Sequence, residues 1–107
     1  MSNPTDFFNE KAKQIAEKPE ALAGINATYQ FNLSGDDGGS WVIALTDDNK
    51  SVTTGEDENA QCIISMSSAD FMGMIGGSLN PQMAFMTGKL RVKGDMALAL
   101  KLQAILA

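Results

Sequence analysis

Tyr29, Phe31 and Leu33 alternate with Thr28, Gln30 and Asn32, and further on Trp41, Ile43 and Leu45 repeat the pattern. A period of two puts the large apolar side chains of a strand on one face and the polar ones on the other. The intervening "SGDDGGS" has the composition of a hairpin loop, so these two strands are expected to pair side by side. "TDDN" supplies another turn before a weaker strand around Ser51 to Thr54. The acidic "GEDENA" then leads into a fourth strand with Ala60, Cys62, Ile64 and Met66 on one face. Gln61, Ile63 and Ser65 take its other face, where Ile63 is an unexpected apolar residue.

Helical spacing brackets this block. Phe7, Phe8, Ala12, Ile15 and Ala16 recur at helical intervals, with Asn3 placed to cap the helix and Pro4 at its first position. A short turn is expected from Pro19 to Leu22, ending at Gly24. After the fourth strand, Ser67 or Ser68 caps a helix carrying Phe71, Met72, Met74 and Ile75, which stops at Gly76-Gly77. Asn80-Pro81 opens another short helix that ends by Gly88. A fifth strand, "KLRVKG", buries Leu90 and Val92 and turns Lys89, Arg91 and Lys93 to solvent. Asp95 caps the last helix. The expected fold is α+β, a five-stranded, mostly antiparallel sheet covered by helices on one side, in a single domain spanning residues 1–107.

Several kinds of chemistry are absent from the residue inventory. The 107 residues contain no His, which removes imidazole acid–base catalysis and imidazole metal ligation. The single Cys, Cys62, allows no internal disulfide and no thiolate zinc site, and its place in an apolar row suits core packing. Gly73, Gly76 and Gly77 lack the spacing of a phosphate-cradling loop, and the acids around "DDGGSWVIALTDDN" lack that of a calcium loop. No enzyme, cofactor or metal is therefore expected. The net charge of −5 disfavours nucleic acid. Its acids concentrate in residues 34–70 and its bases in 71–107. A cytoplasmic location is expected from the lone Cys, the absence of a signal-like N-terminus and the lack of a membrane-length apolar run.

The last helix carries more apolar surface than one sheet can cover. On a helical wheel Leu98, Leu102, Ile105 and Leu106 form one arc, and Met96, Leu100, Ala104 and Ala107 a second, with Lys101 between them. Two stripes require two partners: the sheet, together with a neighbouring helix, another subunit or a bound apolar ligand. Met66, Met72, Met74, Met83, Met86 and Met96 lie on or beside the elements that would face this helix. Flexible thioethers fill irregular core gaps, and they also adapt to varied apolar partners.

The run from Ala60 to Leu106, above all "CIISMS", "DF", "LNPQ", "AF", "GKLRVKGDM" and "KLQ", closely resembles the sterol carrier protein 2 family. The first half fits that family by pattern alone, chiefly through the Trp41–Leu45 strand after a hairpin. The resemblance implies a hydrophobic tunnel that binds sterols, fatty acids, fatty acyl-CoA or phospholipid without chemistry. By position it implies that Trp41 and Ile43 line the tunnel from the sheet, and Phe71 and Ile75 from the helix after "SMS". It places Gln82, Phe85 and Met86 there from the "LNPQ" helix, with Gln82 as a polar group that orients a ligand. From the last helix it implies Met96, Leu100 and Gln103, on the second arc of the wheel. "GGSLNPQ" departs from the family's usual Gly-Lys and so has one cation fewer near the tunnel mouth. The C-terminal "AILA" also lacks a Ser-Lys-Leu-type peroxisomal address. The expected function is lipid binding and transfer, with a lipid or other long apolar ligand as partner. The alternatives are an oligomerisation module forming a homodimer, or an accessory domain presenting a lipophilic intermediate to an enzyme partner. Weak contact of Lys89, Arg91 and Lys93 with anionic membranes is a further expectation.

Overall fold

A computed structural model describes residues 3–17, 26–46, 50–99 and 101. Chain order is α1 (Pro4–Glu17), β1 (Ala27–Ser34), β2 (Gly39–Leu45), β3 (Lys50–Thr54), β4 (Cys62–Ser67), α2 (Ser68–Ile75), α3 (Pro81–Met86), β5 (Arg91–Gly94) and α4 (Met96–Ala99). The turn expected at Pro19–Leu22 and the "TDDN" turn fall wholly or mostly outside the described residues, as does the chain after Lys101.

Local chemistry sets the helix starts. Asn3 Oδ1 accepts the Asp6 amide at 2.8 Å, so the first turn of α1 is capped as its Asn-Pro start requires. Ser67 caps α2 through the Asp70 amide, and Asn80 caps α3 through the amides of Gln82 and Met83. Asp95 Oδ1 accepts the Ala97 amide at 2.8 Å ahead of α4.

The five strands form one sheet in the order β3-β2-β1-β4-β5. Three neighbouring pairs are antiparallel, and the central pair, β1 with β4, is parallel. That parallel pair follows from the route of the chain. Residues 55–61 leave β3 and cross the face of the sheet opposite the helices, where the Asp57 amide donates to the Gln30 side chain at 2.8 Å. Gln30, which this loop meets, and its cross-strand neighbour Val42 are both buried although they point away from the core.

On the inner face, Phe31, Trp41 and Ile64 stand in one cross-strand row and Tyr29, Ile43 and Cys62 in the next. All six are buried. Helix α1 covers the β3 side of this face, α2 packs on β4 and β1, and α4 lies over β4 and β5. Phe8 joins the layers: its ring stacks on Trp41 at 4.7 Å and on Phe71 at 5.4 Å, and meets Phe7 edge-on at 5.3 Å. The buried stripe of α1 runs Pro4, Phe7, Phe8, Lys11 and Ile15, and Ala16 is exposed. Lys11 rather than Ala16 completes the stripe because 7, 11 and 15 are four apart, so its aliphatic stem packs along the same face. The ammonium lies 3.2 Å from Gln14 Oε1 and 5.5 Å from the Phe7 ring centre, and burial lowers its pKa.

Removing the ring that joins α1 to the sheet and to α2 leaves a large void. Phe8→Ala is expected to cost about 3–5 kcal/mol of stability, read as a lower urea midpoint at unchanged slope.

Candidate functional site

Helix α3 is short and stands away from the core. Ala84 is its one buried residue, whereas Gln82, Met83, Phe85 and Met86 are exposed. Its C-terminus is closed by Thr87, whose Oγ1 donates to the Met83 carbonyl at 2.9 Å. Gly88 then adopts φ +80°, a conformation that costs glycine least. The turn it makes lets the amides of Lys89 and Leu90 both donate to the Ala84 carbonyl, at 2.8 and 3.0 Å. The chain is thereby folded under its own helix and delivered into β5.

The start of α4 is held just as closely. The Asp95 amide donates to the Gln61 carbonyl at 2.9 Å. Gly94 has φ +106°, and a Cβ there would run into the Gln61 carbonyl oxygen, so only glycine fits. One turn later the Tyr29 hydroxyl, rising from the sheet, donates to the Leu98 carbonyl at 2.7 Å.

Between α3, β5 and α4 lies a cavity of about 440 Å³. Its walls are Phe85, Met86, Leu90, Val92, Met96 and Ala99, with Asn80, Pro81 and Gln82 at one rim. Asn80 spends its side-chain oxygen on the α3 cap, whereas the Gln82 carboxamide makes no hydrogen bond among the described residues. Phe85 and Met96 are each 44% exposed and Met86 72%, a large amount of apolar surface in one place. Apolar walls with one available carboxamide suit a long apolar molecule carrying a polar end.

Of the residues expected to line a tunnel, Gln82, Phe85, Met86 and Met96 come together here. Trp41, Ile43 and Phe71 are in the closed core, and Ile75 packs half-buried against it; none of these four borders this cavity. Leu100 and Gln103 lie outside the described residues. Leu90, Val92 and Ala99 join the walls without having been singled out as site residues. Leu90 and Val92 carried a signal, the inward apolar pair of the "KLRVKG" segment. The methionines divide between Met66, Met72 and Met74 in or against the core and the exposed Met83, Met86 and Met96 around α3 and α4.

A family model, the SCP-2 sterol transfer family, matches residues 8–107. The chain belongs to that family. Hydroxysteroid dehydrogenase-like protein 2 of Xenopus laevis is 45% identical over 97 residues, which make up 90% of this chain and 23% of that protein. The chain thus spans less than a quarter of that relative's length. Sterol carrier protein 2 of Yarrowia lipolytica, in its apo form, superposes with a TM-score of 0.77 at 30% identity, covering 94% of this chain and 84% of that one. Sterol carrier protein-2 of Aedes aegypti, solved in complex with palmitate, shares the fold at a TM-score of 0.72 and 21% identity, covering 94% and 91% of the two chains.

Two titratable groups sit beneath α4 in this SCP-2 family chain. Burial, with the nearby acids Cys62 and Asp95, pushes the Tyr29 phenol up to about 12. Burial and then Asp95 push the Cys62 thiol up to about 11. A nucleophilic cysteine needs the reverse, a thiolate favoured near neutral pH. Both groups are neutral in the folded state at pH 7, and Tyr29 serves as a donor that positions α4.

A raised folded-state pKa means that the unfolded chain gives up these protons first. Stability from Tyr29 and Cys62 is therefore complete below their ordinary values of 10.0 and 9.0, and is lost as pH rises towards 12 and 11. Tyr29→Phe should cost about 1 kcal/mol at pH 8 through the lost hydrogen bond to Leu98. Urea melts from pH 8 to 11 should then show a smaller alkaline loss in the variant than in the wild type.

Proposed function

We propose that this chain binds lipids in the cavity between α3, β5 and α4 and carries them without chemistry. The observation that carries this reading is the cavity itself, with apolar walls left open in a member of a sterol-transfer family. Its volume falls within the usual range for small-molecule sites. Each methylene moved from water onto such walls contributes about 0.8 kcal/mol, so an acyl chain or a sterol gains enough to offset the cost of ordering it. Gln82 would meet the polar end of the ligand. The absence of His and the suppressed Cys62 thiolate accord with carriage rather than catalysis. Palmitate in the Aedes aegypti relative gives the fatty acids as the first ligand class to test.

A second reading draws on the longer relatives. Because this chain resembles one segment of a dehydrogenase-like protein, it could equally hold a lipophilic intermediate for an enzyme partner. Transfer assays separate the two readings, since a free carrier exchanges ligand between vesicles without help from an enzyme.

Titration of the lipid-stripped protein with a fluorescent fatty acid should saturate near one ligand per chain, and the absence of a saturable site would overturn carriage. Phe85→Glu puts a charge on an exposed wall residue, so it should lower affinity at least about tenfold while leaving the thermal midpoint nearly unchanged.

A further inference from the structure

The opposite face of the sheet carries a second cavity, of about 580 Å³. Strand register builds its floor. Asn32 pairs with Ser40 on β2 and with Ser65 on β4, and Ser65 pairs with Arg91 on β5. Directly paired residues point to the same side, so Ser40, Asn32, Ser65 and Arg91 form one row across four strands. Ser34 and Ser67 pair in the row beyond. Their small polar side chains leave a hollow, walled by Glu56 from the crossing loop and by Lys89 from the turn into β5.

Hydrogen bonding orients this floor. The Asp57 amide donates to Gln30 Oε1 at 2.8 Å, which forces the Gln30 nitrogen to face Asn32. That nitrogen and the Ser40 hydroxyl donate to Asn32 Oδ1 at 2.9 and 3.0 Å. With its oxygen doubly engaged, Asn32 keeps an amide nitrogen that makes no bond among the described residues. Ser67 Oγ accepts the Asp70 amide at 3.1 Å and retains its own proton to donate. Lys89 and Arg91 form no ion pair among the described residues, in a chain of net charge −5. The groove therefore offers two cations, an amide and several hydroxyls, set against the single carboxylate of Glu56.

We propose that this groove binds a phosphate group, on a small phosphate ester or on a lipid headgroup at a membrane surface. A tetrahedral oxyanion presents acceptors in several directions at once, which matches donors converging from a floor and a wall, and charge-assisted bonds from Arg and Lys are the strongest of these. The site lies across the sheet from the apolar cavity and does not rest on the lipid reading.

Isotope-labelled protein titrated with inorganic phosphate and glycerol 3-phosphate at constant ionic strength tests it. Flotation with phosphatidylcholine vesicles, with and without phosphatidic acid, tests the membrane source. Saturable shifts centred on the amides of Asn32, Ser40, Ser65, Gly88 and Arg91 assign the site to soluble phosphate, and flotation that needs both phosphatidic acid and Arg91 assigns it to a headgroup. Arg91→Gln and Lys89→Gln should each weaken binding about tenfold, and Glu56→Gln should strengthen it about threefold. Fatty-acid affinity, measured on the same variants, should not change, so failure here is separable from failure of the lipid reading. No saturable response to any of these probes, or full affinity in the double variant lacking Lys89 and Arg91, overturns the proposal.

Discussion

The stacking of Phe8 between Trp41 and Phe71 is the contact on which the rest of the arrangement turns. It joins α1, β2 and α2 in one cluster of rings, and so closes the inner face of the sheet over β1, β2 and β3. Aromatic rings at these separations add a directional preference to their large buried area, which fixes how the layers sit. With that half of the face filled, only the β4–β5 side remains for α3 and α4 to cover. Among the described residues, Phe85, Met86, Met96 and Ala99 of these two helices border a cavity there. The apolar cavity is the part of the inner face that the aromatic cluster does not reach.

Strand β5 and the two residues that lead into it then divide two environments. Leu90 and Val92 face the apolar cavity, while Lys89 and Arg91 face the polar groove on the other side. The alternation is the ordinary period of a strand. Its consequence here is that a single edge strand contributes walls to two sites of opposite character. The crossing loop at 55–61 adds to this asymmetry, because it bonds to Gln30 but leaves the neighbouring row of small polar residues lining a cavity.

Much of this was legible in the sequence, for reasons that can be traced residue by residue. Asn3, Ser67, Asn80 and Asp95 cap helices as their positions indicated, because a cap is a bond between a side chain and an amide two or three residues away. The inward rows of β1, β2 and β4 followed from period alone. The resemblance in the second half of the chain led to the family and to the Gln82, Phe85, Met86 and Met96 group. Other features were out of reach. Lys11 joins the buried stripe of α1, which its charge concealed. Trp41 and Phe71, which the resemblance placed along a tunnel, stack on Phe8 in the core cluster, a contact between distant segments that no local pattern encodes. Ile63 reads as an isolated apolar residue facing outward, yet it shares a cross-strand row with the buried Gln30 and Val42.

The sequence by itself determined which residues cap the helices, which face of β1, β2 and β4 is apolar, and that imidazole chemistry is absent. These are consequences of interactions spanning a few residues, or of the residue inventory. Only the tertiary structure decided that β1 lies parallel to β4, that Ser40, Asn32, Ser65 and Arg91 share a row, and that the apolar opening falls beside β5. Each of these depends on which distant segments pair and which surfaces the core leaves uncovered. An alternating strand offers two edges to any partner, and its side-chain period does not say which partner takes which edge.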